Sequence, residues 1–210
     1  MRKKKQTKGG QTLDINQQLV EAAGNGDMRA VCRCLDAGAD PNTRGAEGRP
    51  LFFVLGHGSS VPWPIRGEII RAGADVTVRD NVGSTILHWA AGADHVDTVE
   101  LVLDHGMDIE VLDHYGETAL HEAARCGALN AVKALIERDA DVFAENPKGQ
   151  TPMDRIDYYN VATCYEIEFE LEKAIRESSD SEEPDEEERG GRVTLAELHR
   201  RALLRGDRLE

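Results

Sequence analysis

A pattern that recurs every 33 residues constrains the fold of this chain more than any other feature of its sequence. Residues 80–91 are matched position by position by residues 113–124, and the pattern restarts at 146–153. A second motif, Gly-Ala-Asp or a close variant, begins at Gly38, Gly73, Gly106 and Asp139, with spacings of 35, 33 and 33 residues. Self-similarity at this period is typical of arrays in which each repeat packs only on its neighbours. The sequence therefore predicts stacked supersecondary units.

The two regular copies share the motif Gly-x-Thr-x-Leu-His-x-Ala-Ala, which begins at Gly83 and at Gly116. This motif, with the closing Gly-Ala-Asp, resembles the ankyrin repeat. The resemblance implies an all-α solenoid of stacked helix-turn-helix units joined by short hairpin-like loops. It places Thr85 and Thr118 at helix N-termini, where a hydroxyl satisfies unpaired backbone donors. The histidines three residues later would hydrogen-bond the same caps.

The second helix of each repeat should end at the closing motif. Gly106 is expected to follow that helix in left-handed backbone, where glycine carries no steric cost. Asp139 replaces this glycine in the next copy, and aspartate tolerates the left-handed region better than most residues.

Copy boundaries and composition shifts give the expected domain organisation. We expect a basic disordered tail (1–12), a repeat domain (13–177), an acidic disordered linker (178–191) and a short amphipathic helix (192–210). The linker contains seven acidic residues and too little apolar surface to fold. The repeat domain divides into an N-terminal cap, a divergent copy, two regular copies and a C-terminal cap: 13–44, 45–79, 80–112, 113–145 and 146–177.

Two segments of the repeat domain depart from the regular pattern. In the divergent copy the connection 59–64 is longer than in its neighbours, and it holds Trp63 between two prolines. Trp63 either contacts a partner or packs over Phe52 or Phe53. In the last copy we expect a first helix over 154–159 and a capping helix over 162–177, because Ile167, Leu171 and Ala174 recur at helical spacing.

The C-terminal segment has its own apolar pattern. Thr194 and Glu197 have the spacing of a capping box, and an apolar stripe follows, formed by Leu195, Leu198, Ala202 and Leu203. This helix either docks on the repeats or folds in the groove of a partner.

Composition argues against several classes of function. The net charge of −14 disfavours a nucleic-acid partner, and no apolar run reaches the roughly 20 residues of a membrane span. The basic N-terminus is not followed by the apolar stretch of a secretory signal. The four cysteines lack framework spacing, as in a reducing compartment. We expect an intracellular, cytoplasmic monomer, with the nucleus left open as a location.

Catalytic and metal-binding patterns are missing from the sequence. The segment His121–Arg125 begins like a zinc-protease motif, but Arg125 stands where the second histidine must be. Cys32 and Cys34 are too closely spaced for a zinc site. We therefore expect no enzymatic activity, no cofactor and no metal.

The resemblance implies a non-enzymatic scaffold or adaptor that binds a protein partner through hairpin tips and the inner faces of the first helices. Trp89 alternatively packs against the neighbouring repeat. A second possibility is a regulatory adaptor acting through the acidic tail and C-terminal helix. The third is an enzyme or a toxin-like effector. The candidate partner-binding residues are Phe53, Trp63, Asn81, Val82, Trp89, His114, Tyr115, Glu122 and Arg125.

Overall fold

The computed structural model describes residues 13–45, 50–51, 63–157 and 161–179. Within these residues the regular structure is helical, as predicted, and the single β-bridge pairs Arg44 with Pro50. None of the helices described is long and apolar enough to span a membrane. The α-helices are α1 (Ile15–Gly24), α2 (Met28–Asp36), α3 (Trp63–Arg71), α4 (Ile86–Gly92), α5 (Val96–Asp104), α6 (Ala119–Cys126), α7 (Leu129–Glu137) and α8 (Val161–Ser179).

The chain forms two compact units, which meet in sequence at Asp80. In the N-terminal unit α1 packs on α2, and α2 packs on α3. Asp14 caps α1 by accepting from the backbone N–H of Gln17 at 2.8 Å, and the Gln17 side chain accepts from the N–H of Asp14. Asp27 caps α2 in the predicted way. The core of this unit consists of fully buried apolar side chains, among them Leu19, Val31, Ile65 and Ile69.

The C-terminal unit, from Asn81 onward, stacks helical pairs. The first helices α4 and α6 pack on each other, as do the second helices α5 and α7. Contact between α4 and α6 is close because their paired alanines, at 90–91 and 123–124, are completely buried and add little bulk. Leu87 and Leu120 fill the space within each pair. Each repeat therefore shares its core with the next, as expected when one repeat cannot bury its apolar face alone.

The second helices end as the sequence predicts. Gly106 follows α5 with φ of 82°, and Asp139 follows α7 with φ of 63°. In both turns the N–H of the next residue bonds back to a carbonyl in the last turn of the helix. The left-handed residue thus closes the helix and directs the chain into the following loop.

The predicted first helix of the last copy, over 154–159, is wrong. Met153–Arg155 forms one 3-10 turn, and Ile156 leaves the helical region with ψ of 124°. The Asp154 carboxylate accepts from both the N–H and the hydroxyl of Thr151, at 2.9 Å each. An aspartate side chain that bonds nearby backbone N–H groups in this way favours turns over helix. Asp157 is also a weak helix former. The capping helix forms, but as Val161–Ser179 it extends two residues into the predicted linker.

Trp63 does not lie in a loop between prolines, as the sequence suggested. It starts α3, with Pro64 in the first helical turn, where proline needs no N–H partner. The indole ring is partly buried, and the Arg66 guanidinium lies 4.4 Å from the ring centroid. Several predictions fall outside the described residues: those for Phe52 and Phe53, the basic tail, the linker from residue 180 and the C-terminal helix.

Candidate functional site

The first helices of the two regular repeats are held by a threonine–histidine cap. In the second of these, Nδ1 of His121 accepts from the Thr118 N–H at 3.2 Å and lies 2.9 Å from the Thr118 hydroxyl. Thr85 and His88 repeat this arrangement at 3.3 and 3.0 Å. The predicted caps are therefore confirmed, and they fix the direction in which each helix leaves its turn.

The same histidines connect neighbouring repeats. Nε2 of His88 lies 3.0 Å from the carbonyl of Glu117, and Nε2 of His121 lies 3.0 Å from the carbonyl of Gln150. Since a carbonyl only accepts, each Nε2 donates, which leaves Nδ1 as the acceptor at the cap. Burial lowers the pKa of His121, which favours the neutral tautomer that both bonds require.

The loops between repeats carry rigid tips. Oδ1 of Asp113 accepts from the N–H of Tyr115 at 2.8 Å and from that of Glu117 at 3.0 Å. Asn146 makes the equivalent bonds at the following tip, to Lys148 and Gln150. The backbone of both tips is therefore ordered by hydrogen bonds within the chain.

Neighbouring tips pack on one another through glycine. A Cβ on Gly83 would lie 2.8 Å from the His114 backbone nitrogen, and one on Gly116 would lie 2.5 Å from Cδ of Pro147. Both glycines have positive φ, near 79° and 71°. The N–H of His114 also donates to the Val82 carbonyl at 2.9 Å. The tips consequently form one continuous edge.

The model of ankyrin repeats, in three copies, matches residues 66–146. The helical pairs with threonine–histidine caps, the glycine-packed tips and the 33-residue period all involve this stretch of the chain. Residues 66–146 are therefore ankyrin repeats. Ankyrin repeats are in general protein–protein interaction modules, and the family is typically non-enzymatic.

The ankyrin tips expose the side chains that the sequence placed there. Val82, on the first tip, is 40% exposed, and Tyr115, on the next tip, is 64% exposed. Asn81 and His114, beside them, are also exposed. Trp89, on the first helix α4, is partly buried. The structure thus brings four predicted residues to the tip edge.

Glu122 and Arg125, on the first helix α6, bind each other. The guanidinium donates from Nε at 2.9 Å and from Nη2 at 2.5 Å to the two carboxylate oxygens. These bonds raise the pKa of Arg125 above its ordinary value. Glu122 also lies over α4 of the preceding repeat, since a Cβ on Gly92 would be 3.1 Å from its Cγ. The pair is a preformed polar feature on the first helices.

The two remaining predicted residues are Phe53 and Trp63. Phe53 lies outside the described residues. Trp63 belongs to the N-terminal unit and packs on Arg66, whose pKa burial lowers. Its role as a contact residue stays a prediction.

One structurally important residue went unrecognised in the sequence. Asp94, with φ of 57°, caps α7 of the next repeat: its Oδ1 accepts from the Ala131 N–H at 2.8 Å, and its Oδ2 from the Asn130 side chain at 2.7 Å. The local cap position, Ala128, has no side-chain acceptor. The sequence did contain one indication of the unusual backbone at Asp94. The 33-residue offset aligns it with Gly127, which also has positive φ.

The described residues contain no cluster of three or more histidine, cysteine or acidic side chains that could hold a metal ion. Burial raises the pKa of the Cys34 and Cys126 thiols, which reduces their thiolate fraction at neutral pH.

Proposed function

We propose that this ankyrin-repeat protein is a non-enzymatic scaffold or adaptor that binds a protein partner through its C-terminal unit. The binding surface, called the tip surface below, comprises Asn81, Val82, Trp89, His114, Tyr115, Glu122 and Arg125. The observation that supports it best is a large exposed aromatic side chain on a hydrogen-bonded, glycine-packed tip.

Rigid aromatic residues bind at low entropic cost. Tyr115 has its backbone fixed by Asp113 in the unbound chain, so binding orders little beyond the side chain itself. Tyrosine also combines a large apolar ring with a polar hydroxyl, and tyrosine, tryptophan and arginine are enriched among the residues that dominate interface energies. Tyr115 is therefore the proposed centre of the tip surface, and Val82 extends its apolar area.

The Glu122–Arg125 pair gives the tip surface a polar border. Arg125 is 43% exposed and Glu122 28% exposed at the side chain, so part of each stays accessible. A partner carboxylate would have to compete with Glu122 for the guanidinium, whereas a partner donor meets a carboxylate already held in place. Such pairs contribute more to selectivity than to affinity.

Photo-crosslinking followed by affinity measurement tests the proposal. A photo-reactive phenylalanine analogue at position 115 should capture a protein from the source cell, and the same analogue at position 143 is the control. Phe143 is another large exposed aromatic of this unit, at 49%, outside the tip surface.

The captured protein is then purified and its Kd for each variant is measured. Tyr115→Ala and Trp89→Ala should each raise Kd by about tenfold or more, equivalent to about 1.4 kcal/mol. Phe143→Ala should leave Kd unchanged. Equal binding by all three variants would show that the partner uses another surface.

A regulatory adaptor that acts through its acidic tail remains the alternative proposal. Ending the chain after Ser179 removes the tail without shortening α8. Binding retained by that truncated chain supports the tip surface, and binding lost with the tail supports the alternative.

A further inference from the structure

The capping helix α8 exposes two aromatic side chains on its outward face. Its inward face is fully apolar and buried: Cys164, Ile167 and Leu171 are at most 1% exposed and face α7. Tyr165 and Phe169, one helical turn apart, are 47% and 60% exposed. Neighbouring aromatic residues at this spacing form one continuous patch on a helix. Terminal repeats of such arrays ordinarily present polar outer faces, so the aromatic patch needs an explanation.

The chain itself contains a segment suited to this patch. Residues 194–205, which lie outside the described residues, begin with the capping-box spacing of Thr194 and Glu197. Leu195, Leu198 and Ala202 follow at helical spacing. A helix this short is marginal in water on its own and requires a surface on which to bury its apolar stripe.

The connection is long enough for the segment to return along α8. Ser179 ends α8, and residues 180–193 follow it. Fourteen extended residues reach up to about 46 Å, whereas Phe169 lies about 15 Å back from Ser179 along the helix axis. A helix of residues 194–205 would be about 18 Å long, close to the about 16 Å between Tyr165 and Arg176.

The charges of the two segments match in the antiparallel arrangement. The N-terminal half of α8 carries Glu166, Glu168 and Glu170 and no basic residue, whereas Lys173 and Arg176 in its C-terminal half are balanced by Glu172 and Glu177. In the C-terminal segment Glu197 comes first, with Arg200, Arg201 and Arg205 after it. A chain that turns back after Ser179 places the arginines near the acidic N-terminal half of α8 and Glu197 near the neutral half that contains Lys173. Arginine also stacks favourably on exposed aromatic rings.

We propose that residues 194–205 fold as a helix and dock in cis, antiparallel to α8, on the Tyr165–Phe169 patch. The docked helix covers the end of the array and draws the acidic linker into a closed loop. This docking is independent of the tip surface and requires no partner protein.

Hydrogen exchange measured by mass spectrometry on the full-length chain tests the proposal. Amides of 194–205 should exchange at least about tenfold more slowly than in an unstructured peptide. The double variant Tyr165→Asp with Phe169→Asp should abolish this protection, and so should Leu198→Asp on the segment itself. Replacing Tyr115 and Phe143 by aspartate, as a control double variant, should preserve it.

Three outcomes would overturn the proposal. Exchange of 194–205 at the unstructured rate in the native chain would show that the segment does not dock. Protection unaffected by Leu198→Asp would place the contact elsewhere. Protection that rises over about a hundredfold range of chain concentration would assign the patch to a second copy. Unchanged protection of α6 and α7 in every variant verifies that the repeats remain folded.

Discussion

Replacing His121 by alanine should destabilise the protein more than removing any other polar side chain of the tip edge. The imidazole is completely buried. It accepts from the Thr118 N–H at 3.2 Å and donates to the Gln150 carbonyl at 3.0 Å. Alanine leaves both backbone groups without a partner, and it leaves a ring-sized space beside them.

The expected loss follows from these contacts. A buried group left without its hydrogen bond costs about 1–3 kcal/mol, so two such groups cost about 2–6 kcal/mol. Water can enter the vacated space and bond both groups, which places the expected loss in the lower half of this range. We expect the free energy of unfolding to fall by about 3–4 kcal/mol, a large part of the about 5–15 kcal/mol of an ordinary domain.

Urea denaturation followed by circular dichroism measures this loss. His105→Ala is the control, because His105 is exposed and bonds only the Leu101 carbonyl of its own helix, at 2.7 Å. That substitution should cost about 0.5 kcal/mol or less. A loss below about 1 kcal/mol for His121→Ala would refute the argument from unpaired backbone groups. So would the absence of coupling between His121→Ala and Thr118→Ala in a double-mutant cycle, where about 1 kcal/mol is expected.

Further predictions concern backbone conformation, capping and pH. Gly83→Ala should lower the free energy of unfolding by about 2 kcal/mol or more in the same urea assay, because the added Cβ meets the His114 backbone nitrogen and φ is positive. Asp139→Gly should raise it by about 0.5 kcal/mol, since glycine adopts φ of 63° without strain. Asp94→Ala should lower it by about 1–2 kcal/mol through loss of the α7 cap, and Asp94→Asn should lower it less. Because burial lowers the pKa of His121 below its unfolded value, the unfolded chain binds a proton first as pH falls. Stability should therefore be complete above about pH 6.5 and decline below it by up to about 1.4 kcal/mol per pH unit, a slope that His121→Ala should reduce.

Local chemistry made much of this structure predictable from sequence. The caps at Thr85 and Thr118 and the left-handed turns at Gly106 and Asp139 depend on a few adjacent residues, and all four are confirmed. The partners of the cap histidines were not predictable in the same way. Glu117 and Gln150 contribute backbone carbonyls, which every residue has, so only the stacking of repeats identifies them.

The failures have equally specific causes. The predicted first helix of the last copy relied on its alignment with regular repeats, but Asp154 folds back on Thr151 where those repeats have histidine. Trp63 was assigned to a loop because prolines flank it, although proline is well tolerated in the first turn of a helix. The residues proposed for the tip surface were predicted from their positions in the repeat motif. Tyr115 is exposed whereas Trp89 is partly buried. This difference depends on the surrounding side chains, which a short motif does not specify.

Asp154 stands where the two regular repeats have a histidine, so the hydrogen bonds from one repeat to the next do not continue at this position. Each cap histidine carries an N–H that reaches forward to the succeeding repeat, so every copy that has one offers an attachment point for another. A carboxylate has no hydrogen to offer, and Asp154 turns its oxygens back on its own threonine. The last copy therefore lacks the histidine bond that joins each regular repeat to the next. A design that adds further repeats after this copy should therefore include Asp154→His, which would supply an N–H for the carbonyl of the next repeat.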